Sequence, residues 1–136
     1  MIEYVLDASA LIRYLDNEPG AKRVEEIIAA CASGQAEVCI SAVQWGEVAG
    51  NLRKRFGAST EATTMAKLLP TKATIVPVTG DRAVWAAALK VDRSLAYADG
   101  FAMDLALDST DRVLVTADYG FKAVDDLAKI EFLPTK

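Results

Sequence analysis

The chain has 136 residues, and its 15 Lys and Arg against 19 Asp and Glu give a formal net charge of −4. Its length fits one domain, residues 1–136, and an apolar content of 52% is enough for a core, which excludes a disordered chain. The longest stretch without a charged residue, residues 27–36, is shorter than the roughly 18 residues of a membrane span, and the first residues do not resemble a signal peptide. We therefore expect a cytoplasmic protein with no membrane contact.

Short runs rich in Val and Ile alternate with segments of helical periodicity along the chain. Strands separated by helices pair in parallel through right-handed crossovers, so helices cover both faces of the sheet. Ligands of such α/β sheets bind beyond the carboxyl ends of the strands. The predicted strands are Ile2–Leu6, Val38–Ile40, Thr74–Val76, Arg112–Thr116 and Ile130–Leu133.

One predicted helix has clear boundaries. Ser41 and Gln44 form the pattern of a capping box, in which each side chain bonds to the backbone N–H of the other residue. This helix is expected to end at Phe56, before Gly57. The other predicted helices cover residues 24–31, Ser59–Leu69 before Pro70, Asp81–Val91 with Asp81 as its cap, and residues 98–105.

The absence of histidine restricts the chemistry more than the net charge does. Without histidine, Ser-His-Asp and Cys-His catalysis and His-ligated zinc sites are excluded. Cys31 and Cys39 form no CxxC motif, and we expect both to be buried, reduced thiols. Any chemistry must therefore come from carboxylates, hydroxyls, Lys, Arg or a metal ion.

Four acidic residues are predicted to lie near the carboxyl ends of the strands. Asp7 ends the first strand, and Asp118 lies just beyond the fourth. Glu47 lies in the helix after the second strand, and Asp99 opens the helix before the fourth. Carboxylates this close repel one another unless a cation joins them, and Mg²⁺ or Mn²⁺ prefers oxygen ligands. Together they predict a divalent cation site.

Each acid taken alone has a structural alternative. Asp7 and Asp118 suit helix N-caps, and Asp99 suits the first turn of a helix. Glu47 suits a solvated helix surface, although its apolar neighbours in sequence leave little polar surface there. Asp104, which points away from Asp99, is expected to be solvated.

The segments around the four acids occur in a characteristic order and spacing. They are Leu6-Asp7-Ala8-Ser9-Ala10-Leu11, Ser41-Ala42-Val43-Gln44-Trp45-Gly46-Glu47-Val48, Tyr97-Ala98-Asp99-Gly100-Phe101-Ala102 and Leu114-Val115-Thr116-Ala117-Asp118-Tyr119-Gly120-Phe121. Over essentially the whole chain they resemble the motifs of PIN-domain ribonucleases, most closely the VapC toxins of prokaryotic toxin–antitoxin pairs. This resemblance implies a three-layer α/β/α sandwich with a five-stranded parallel sheet of order 3-2-1-4-5, in which Asp7 lies beside Asp118.

The resemblance also implies roles for the acids. Asp7 and Asp99 match the principal Mg²⁺ ligands of the family, with Mn²⁺ as the alternative ion. Glu47 matches the family's helix acid, and Asp118 its more variable fourth acid. Two hydroxyl residues match positions that orient the first and last acids, namely Ser9 and Thr116.

The activity implied is hydrolysis of RNA phosphodiester bonds by metal-activated water, which needs no histidine. Basic residues near the predicted site could contact RNA phosphates, although they also suit solvated helix ends. These candidates are Arg13, Arg53, Lys54 and Arg55.

The resemblance implies a small antitoxin as partner, together with a homodimer and a toxin–antitoxin hetero-oligomer. An apolar groove for the antitoxin or a second copy could be lined by Trp45, Phe56, Met65, Leu68 and Leu69, with core packing the simpler interpretation for Trp45. A catalytically idle PIN-like module that binds protein or RNA is the alternative, and the presence of all four acids favours the enzyme. A phosphohydrolase with an aspartyl nucleophile is disfavoured, because Asp7-Ala8-Ser9 lacks the second acid of a D-x-D motif.

Overall fold

The computed structural model describes residues 1–68 and 72–136. The strands are β1 (Ile2–Leu6), β2 (Ala36–Ser41), β3 (Thr74–Val76), β4 (Arg112–Thr116) and β5 (Lys129–Phe132). The helices are α1 (Ala8–Leu15), α2 (Ala21–Ala32), α3 (Ala42–Phe56), α4 (Ala58–Leu68), α5 (Gly80–Arg93) and α6 (Tyr97–Leu107), with a 3-10 helix at Tyr119–Val124. The predicted end of α4, Leu69 and Pro70, lies outside the described residues.

The five strands form one parallel sheet in the order β3-β2-β1-β4-β5, which confirms the expected topology. The chain leaves the central strand β1 for β2 and β3 on one side, and then returns to β4 and β5 on the other. The connections therefore diverge at the carboxyl ends of β1 and β4. A crevice at such a reversal of strand order is the usual ligand site of an open α/β sheet.

Side chains alternate between the two faces of the sheet, and both faces are buried. Tyr4 and Leu6 of β1 pack into a cluster with residues of α1, α2 and α3. Val5, between them, packs into a second cluster with residues of α5, α6 and the 3-10 helix. Because helices cover both faces, the molecule is the expected three-layer α/β/α sandwich.

Helix α6 is buried from Gly100 to Ala106, as expected of a helix that is apolar around its circumference. The prediction that Asp104 is solvated is wrong, since this residue is 6% exposed. Packing of α5 against α6 brings Arg82 to it, with 2.7 Å between Arg82 Nη1 and Asp104 Oδ2. A buried carboxylate paired with a guanidinium keeps its charge compensated.

Two predicted helix caps differ from the observed ones. Helix α5 is capped by Thr79, whose Oγ1 accepts from the backbone N–H of Arg82, and not by Asp81. Ser41 does cap α3, but it accepts from the N–H of Val43 at 3.2 Å, and the side chain of Gln44 bonds elsewhere.

The end of α3 and the state of the two cysteines agree with the predictions. Helix α3 ends at Phe56, before Gly57, whose φ is +91°. Cys31 and Cys39 are both buried and free. In the described part of the chain, no helix is both long and apolar enough to cross a membrane.

We predict that Gly100→Ala destabilises the fold. A Cβ at Gly100 would lie 3.0 Å from the Cα, Cβ and O atoms of Ala86 in α5, so the two helices would have to move apart. The net loss in free energy of unfolding should be about 1–2 kcal/mol, because overpacking outweighs the better helix propensity of alanine. Denaturant titration followed by circular dichroism measures it.

Gly50→Ala in α3 is the matched control. A Cβ at Gly50 would meet no atom within 4 Å. It should therefore stabilise the protein by about 0.5–1 kcal/mol through helix propensity alone. Equal effects of the two substitutions would contradict a tight contact between α5 and α6.

Candidate active site

Asp7 lies between the carboxyl end of β1 and the first residue of α1, and it is only 1% exposed. Its Oδ1 atom accepts a hydrogen bond from the backbone N–H of Ala10 at 2.9 Å, so Asp7 is the N-cap of α1. Its Oδ2 atom accepts a hydrogen bond from Thr116 Oγ1 at 2.6 Å. The capping interpretation of Asp7 is therefore correct, and it leaves the second oxygen directed at another strand.

Two hydroxyl groups join Asp7 to the end of β4. Ser9 Oγ lies 2.8 and 2.9 Å from the two carboxylate oxygens of Asp7. The hydroxyl oxygens also accept backbone N–H groups: Ser9 Oγ that of Ala117, and Thr116 Oγ1 that of Asp118, each at 2.9 Å. Ser9 and Thr116 therefore set both the orientation of Asp7 and the path of the chain into Asp118.

The other three acids come to this edge from separate elements. Asp99 is half-buried in the first turn of α6. Asp118 is exposed and caps the 3-10 helix, with its Oδ1 accepting from the N–H of Gly120 at 2.8 Å. Glu47 is exposed, contrary to the expectation from its apolar neighbours in sequence. Its buried neighbours, such as Val48, lie on another side of the helix and point into the core.

The four carboxylates affect one another electrostatically. Burial, followed by the charges of Asp118 and Asp7, raises the pKa of Asp99 to about 7, and the charge of Glu47 adds to this. Burial raises the pKa of Asp7 to about 6, and partial desolvation by neighbouring protein atoms raises the pKa of Glu47, although this residue is exposed. Within residues 1–68 and 72–136, no ion pair includes any of these acids. Their negative charge is therefore not compensated by arginine or lysine.

The chemistry of this site fits a hard divalent cation, because all of its side-chain donors are oxygen atoms. In the described ranges, no three acidic or cysteine side chains are close enough to enclose an ion by themselves. Mg²⁺ usually binds through one or two carboxylates and keeps several waters, so an open arrangement of this kind suits it. Asp7 and Asp99, whose pKa values rise to about 6 and about 7, would gain most from a nearby positive charge.

The basic candidates lie outside this network. Arg53 pairs with Glu61 at 3.2 Å, and Arg55 pairs with Asp16 at 2.8 Å, which favours the structural interpretation of these two arginines. In the described chain, two of the candidates belong to no ion pair, namely Arg13 and Lys54.

The apolar residues considered for a groove lie mostly in the core. Trp45 and Met65 pack against the cluster beneath α1, α2 and α3, as the simpler interpretation of Trp45 held. Leu68 is 7% exposed, whereas Phe56 is 52% exposed and remains accessible to a partner. Leu69 lies outside the described residues.

Sequence reasoning missed the contribution of Gln44. Its side chain is completely buried and bonds to the backbone of Ala8 and of Ala98, the neighbours of Asp7 and Asp99 in the chain. The sequence did contain an indication of burial, because Gln44 lies four residues before Val48 and therefore on the same face of the helix. The capping-box pattern offered a different explanation for this glutamine.

The sequence from residue 4 to residue 127 matches the PIN domain family. The chain belongs to the PIN-domain family. The matched region of this PIN domain includes all four acids of the site. No curated protein sequence is significantly similar to the chain.

Solved structures with the same fold match nearly the whole PIN domain. DNA-bound VapBC from Salmonella typhimurium superposes with a TM-score of 0.73 at 16% identity, covering 97% of this chain and 98% of that chain. VapBC2 from Rickettsia felis, bound to a promoter DNA fragment, gives 0.72 at 13% identity, with coverage of 98% and 100%. Mycobacterium tuberculosis VapC20, a Sarcin-Ricin loop cleaving toxin, gives 0.69 at 18% identity, with coverage of 88% and 93%.

We predict that Asp99→Asn stabilises the PIN domain at neutral pH in metal-free buffer. Folding raises the pKa of Asp99 from 3.8 to about 7, so the native state binds a proton that the unfolded state releases. The contribution of Asp99 to stability is therefore fully present below about pH 4 and is lost as pH rises to about 7. Asparagine cannot ionise, so the variant should gain about 1–2 kcal/mol at pH 7.5, with allowance for the partial exposure of Asp99.

Thermal unfolding between pH 4 and pH 8 in the presence of EDTA measures this difference. Asp111→Asn, at an exposed position, is the control and should follow the wild type at every pH. A wild-type melting temperature as high at pH 7.5 as at pH 5, with no gain in Asp99→Asn, would contradict charge repulsion in the site.

Proposed function

We propose that this PIN domain is a Mg²⁺-dependent endoribonuclease and the toxin of a toxin–antitoxin pair, acting in the cytoplasm. The observation that carries the proposal is that acids from four separate segments lie near enough at the crevice of the sheet to affect one another electrostatically, with no arginine or lysine paired to them in the described chain. The fold shared with VapC20, named as a Sarcin-Ricin loop cleaving toxin, supports RNA as the substrate.

Asp7, Asp99 and Glu47 would hold one cation, directly or through water, and Asp118 would help to bind a second ion or to orient the attacking water. When bound, Mg²⁺ lowers the pKa of a coordinated water and offsets the negative charge that builds on the phosphate. Mn²⁺ would serve the same ligands. Asp7 is suited to this task because its carboxylate is already oriented by hydroxyl and backbone donors.

In this proposal Asp118, an exposed acid of the site, acts on the attacking water. Its Oδ1 atom is anchored by the N–H of Gly120, and its carboxylate would accept a proton from the water. The water oxygen then bonds to phosphorus while the bond from phosphorus to the 3′ oxygen breaks, and the 3′ oxygen takes a proton from solvent. The products are a 5′-phosphate and a 3′-hydroxyl, and a cyclic phosphate product would contradict this mechanism.

An antitoxin is the protein partner that we propose. Solved structures with this fold include VapBC2 from Rickettsia felis and VapBC from Salmonella typhimurium, each bound to DNA. Three apolar side chains of α5 remain exposed: Val84 (69%), Trp85 (61%) and Val91 (81%). Exposed apolar residues of this kind support protein contacts, here a homodimer and a toxin–antitoxin hetero-oligomer. A catalytically idle binding module would not need the four acids.

We predict that Asp7→Asn and Asp99→Asn each abolish most RNA cleavage while the protein stays folded. Loss of a cation ligand removes several kcal/mol of transition-state stabilisation, so the rate should fall by about 100-fold or more. Purified protein with end-labelled RNA, with Mg²⁺ and with EDTA, measures the rate and the product ends. Asp111→Asn is the control, and normal cleavage by either site variant would remove that residue from the mechanism.

We predict that the RNA contacts come from Arg13 and Lys54, because Arg53 and Arg55 are engaged by acids of the chain. Two double variants test this: Arg13→Gln with Lys54→Gln, and Arg53→Gln with Arg55→Gln. The first pair should lower the slope of log affinity against log salt by about 2, one for each lost phosphate contact. The second pair should leave the slope unchanged, and the reverse result would reassign the contacts.

A further inference from the structure

Among the described residues, Gln44 is the only one whose side chain forms hydrogen bonds to the backbone next to both Asp7 and Asp99. Its Oε1 atom accepts the backbone N–H of Ala8 at 2.7 Å, and its Nε2 atom donates to the backbone oxygen of Ala98 at 2.7 Å. Both bonds are shorter than the usual 2.9–3.0 Å for this type. Ala8 directly follows Asp7, and Ala98 directly precedes Asp99.

The orientation of the Gln44 amide is determined by its partners. The N–H of Ala8 can only donate and the carbonyl of Ala98 can only accept. In the reverse orientation, the amide NH₂ would face the N–H of Ala8, and the amide oxygen would face the carbonyl oxygen of Ala98. The amide therefore holds α1 and α6 at one separation.

Satisfying the start of α1 does not by itself require this residue. The first N–H groups of a helix lack partners within the helix and are often satisfied by water. Here a residue with 0% exposure supplies the bond instead, at a place where α1, α3 and α6 all begin. Burying an amide is unfavourable unless both of its ends are bonded, and here both are.

We propose that Gln44 is a positioning residue of the acidic site, whose amide holds Asp7 and Asp99 at the separation that a shared divalent cation requires; this rests on the proposed function. Gln44 does not touch substrate or cation. It acts through the peptide groups next to the two acids, and small displacements of ligand-bearing groups are costly to metal binding and catalysis.

Two substitutions test the proposal. Gln44→Leu keeps approximately the volume and loses both bonds, and Gln44→Asn keeps the amide on a side chain too short to span both segments. Each should weaken Mg²⁺ binding, measured by calorimetry on the whole protein, by about tenfold or more, as for other groups that orient metal ligands. The kcat for RNA cleavage should fall by at least the same factor while KM stays within about twofold, since the RNA contacts lie elsewhere.

Matched controls separate positioning from general stability. Gln35→Leu, at an exposed position, should bind Mg²⁺ and cleave RNA like the wild type. Val24→Ala, in the buried face of α2, should lower the melting temperature but leave Mg²⁺ affinity and kcat unchanged.

Folded Gln44 variants with wild-type Mg²⁺ affinity and kcat would overturn the proposal. So would a Val24→Ala variant that loses Mg²⁺ affinity and kcat as the Gln44 variants do. If the wild type binds Mg²⁺ but does not cleave RNA, the proposed nuclease activity is wrong. The Mg²⁺ affinities of the Gln44 variants would then still decide whether Gln44 positions the acids. A wild type that binds no divalent cation would overturn both.

Discussion

The buried carboxylate of Asp7 is the constraint on which the rest of the site depends. It lies where the ends of β1 and β4 meet, and none of its hydrogen-bond partners in the described chain is a lysine or an arginine. Its charge is stabilised only by two hydroxyls and one backbone N–H, and the cost of burial still raises its pKa to about 6. The contacts that hold Asp7 also fix the chain leading to Asp118, so the central pair of strands and the acidic site form one structural unit.

The distribution of charge distinguishes this site from the rest of the molecule. Among the described residues, the other buried acid, Asp104, is paired with Arg82 of α5, and Glu131 is paired with Arg23, whose guanidinium contacts both carboxylate oxygens. At the crevice, the acids are left with one another. Such an arrangement lowers the stability of the protein through charge repulsion. Uncompensated charge of this kind is characteristic of functional sites, where a ligand supplies the missing interaction.

The alternatives considered for each acid turned out not to exclude one another. Asp7 and Asp118 are both N-caps, and the capping bond occupies one oxygen of each while their charges still contribute to the raised pKa of Asp99. Capping therefore fixes the side chain that the site uses. The structural alternative is the better one for Arg53 and Arg55, because their acidic partners lie on neighbouring elements.

The alternation of strands and helices, the burial of both sheet faces and the positions of Asp7, Asp99 and Asp118 at strand or helix ends could be read from the sequence alone. These follow from local periodicity and from the residue types at element boundaries, which act over a few residues. The partners of Gln44, the burial of Asp104 and the exposure of Glu47 could be known only from the folded protein, since each depends on residues tens of positions away or on how a helix is rotated. A side chain that can bond locally or across the fold takes the contact that packing brings within reach, and local patterns do not contain that information.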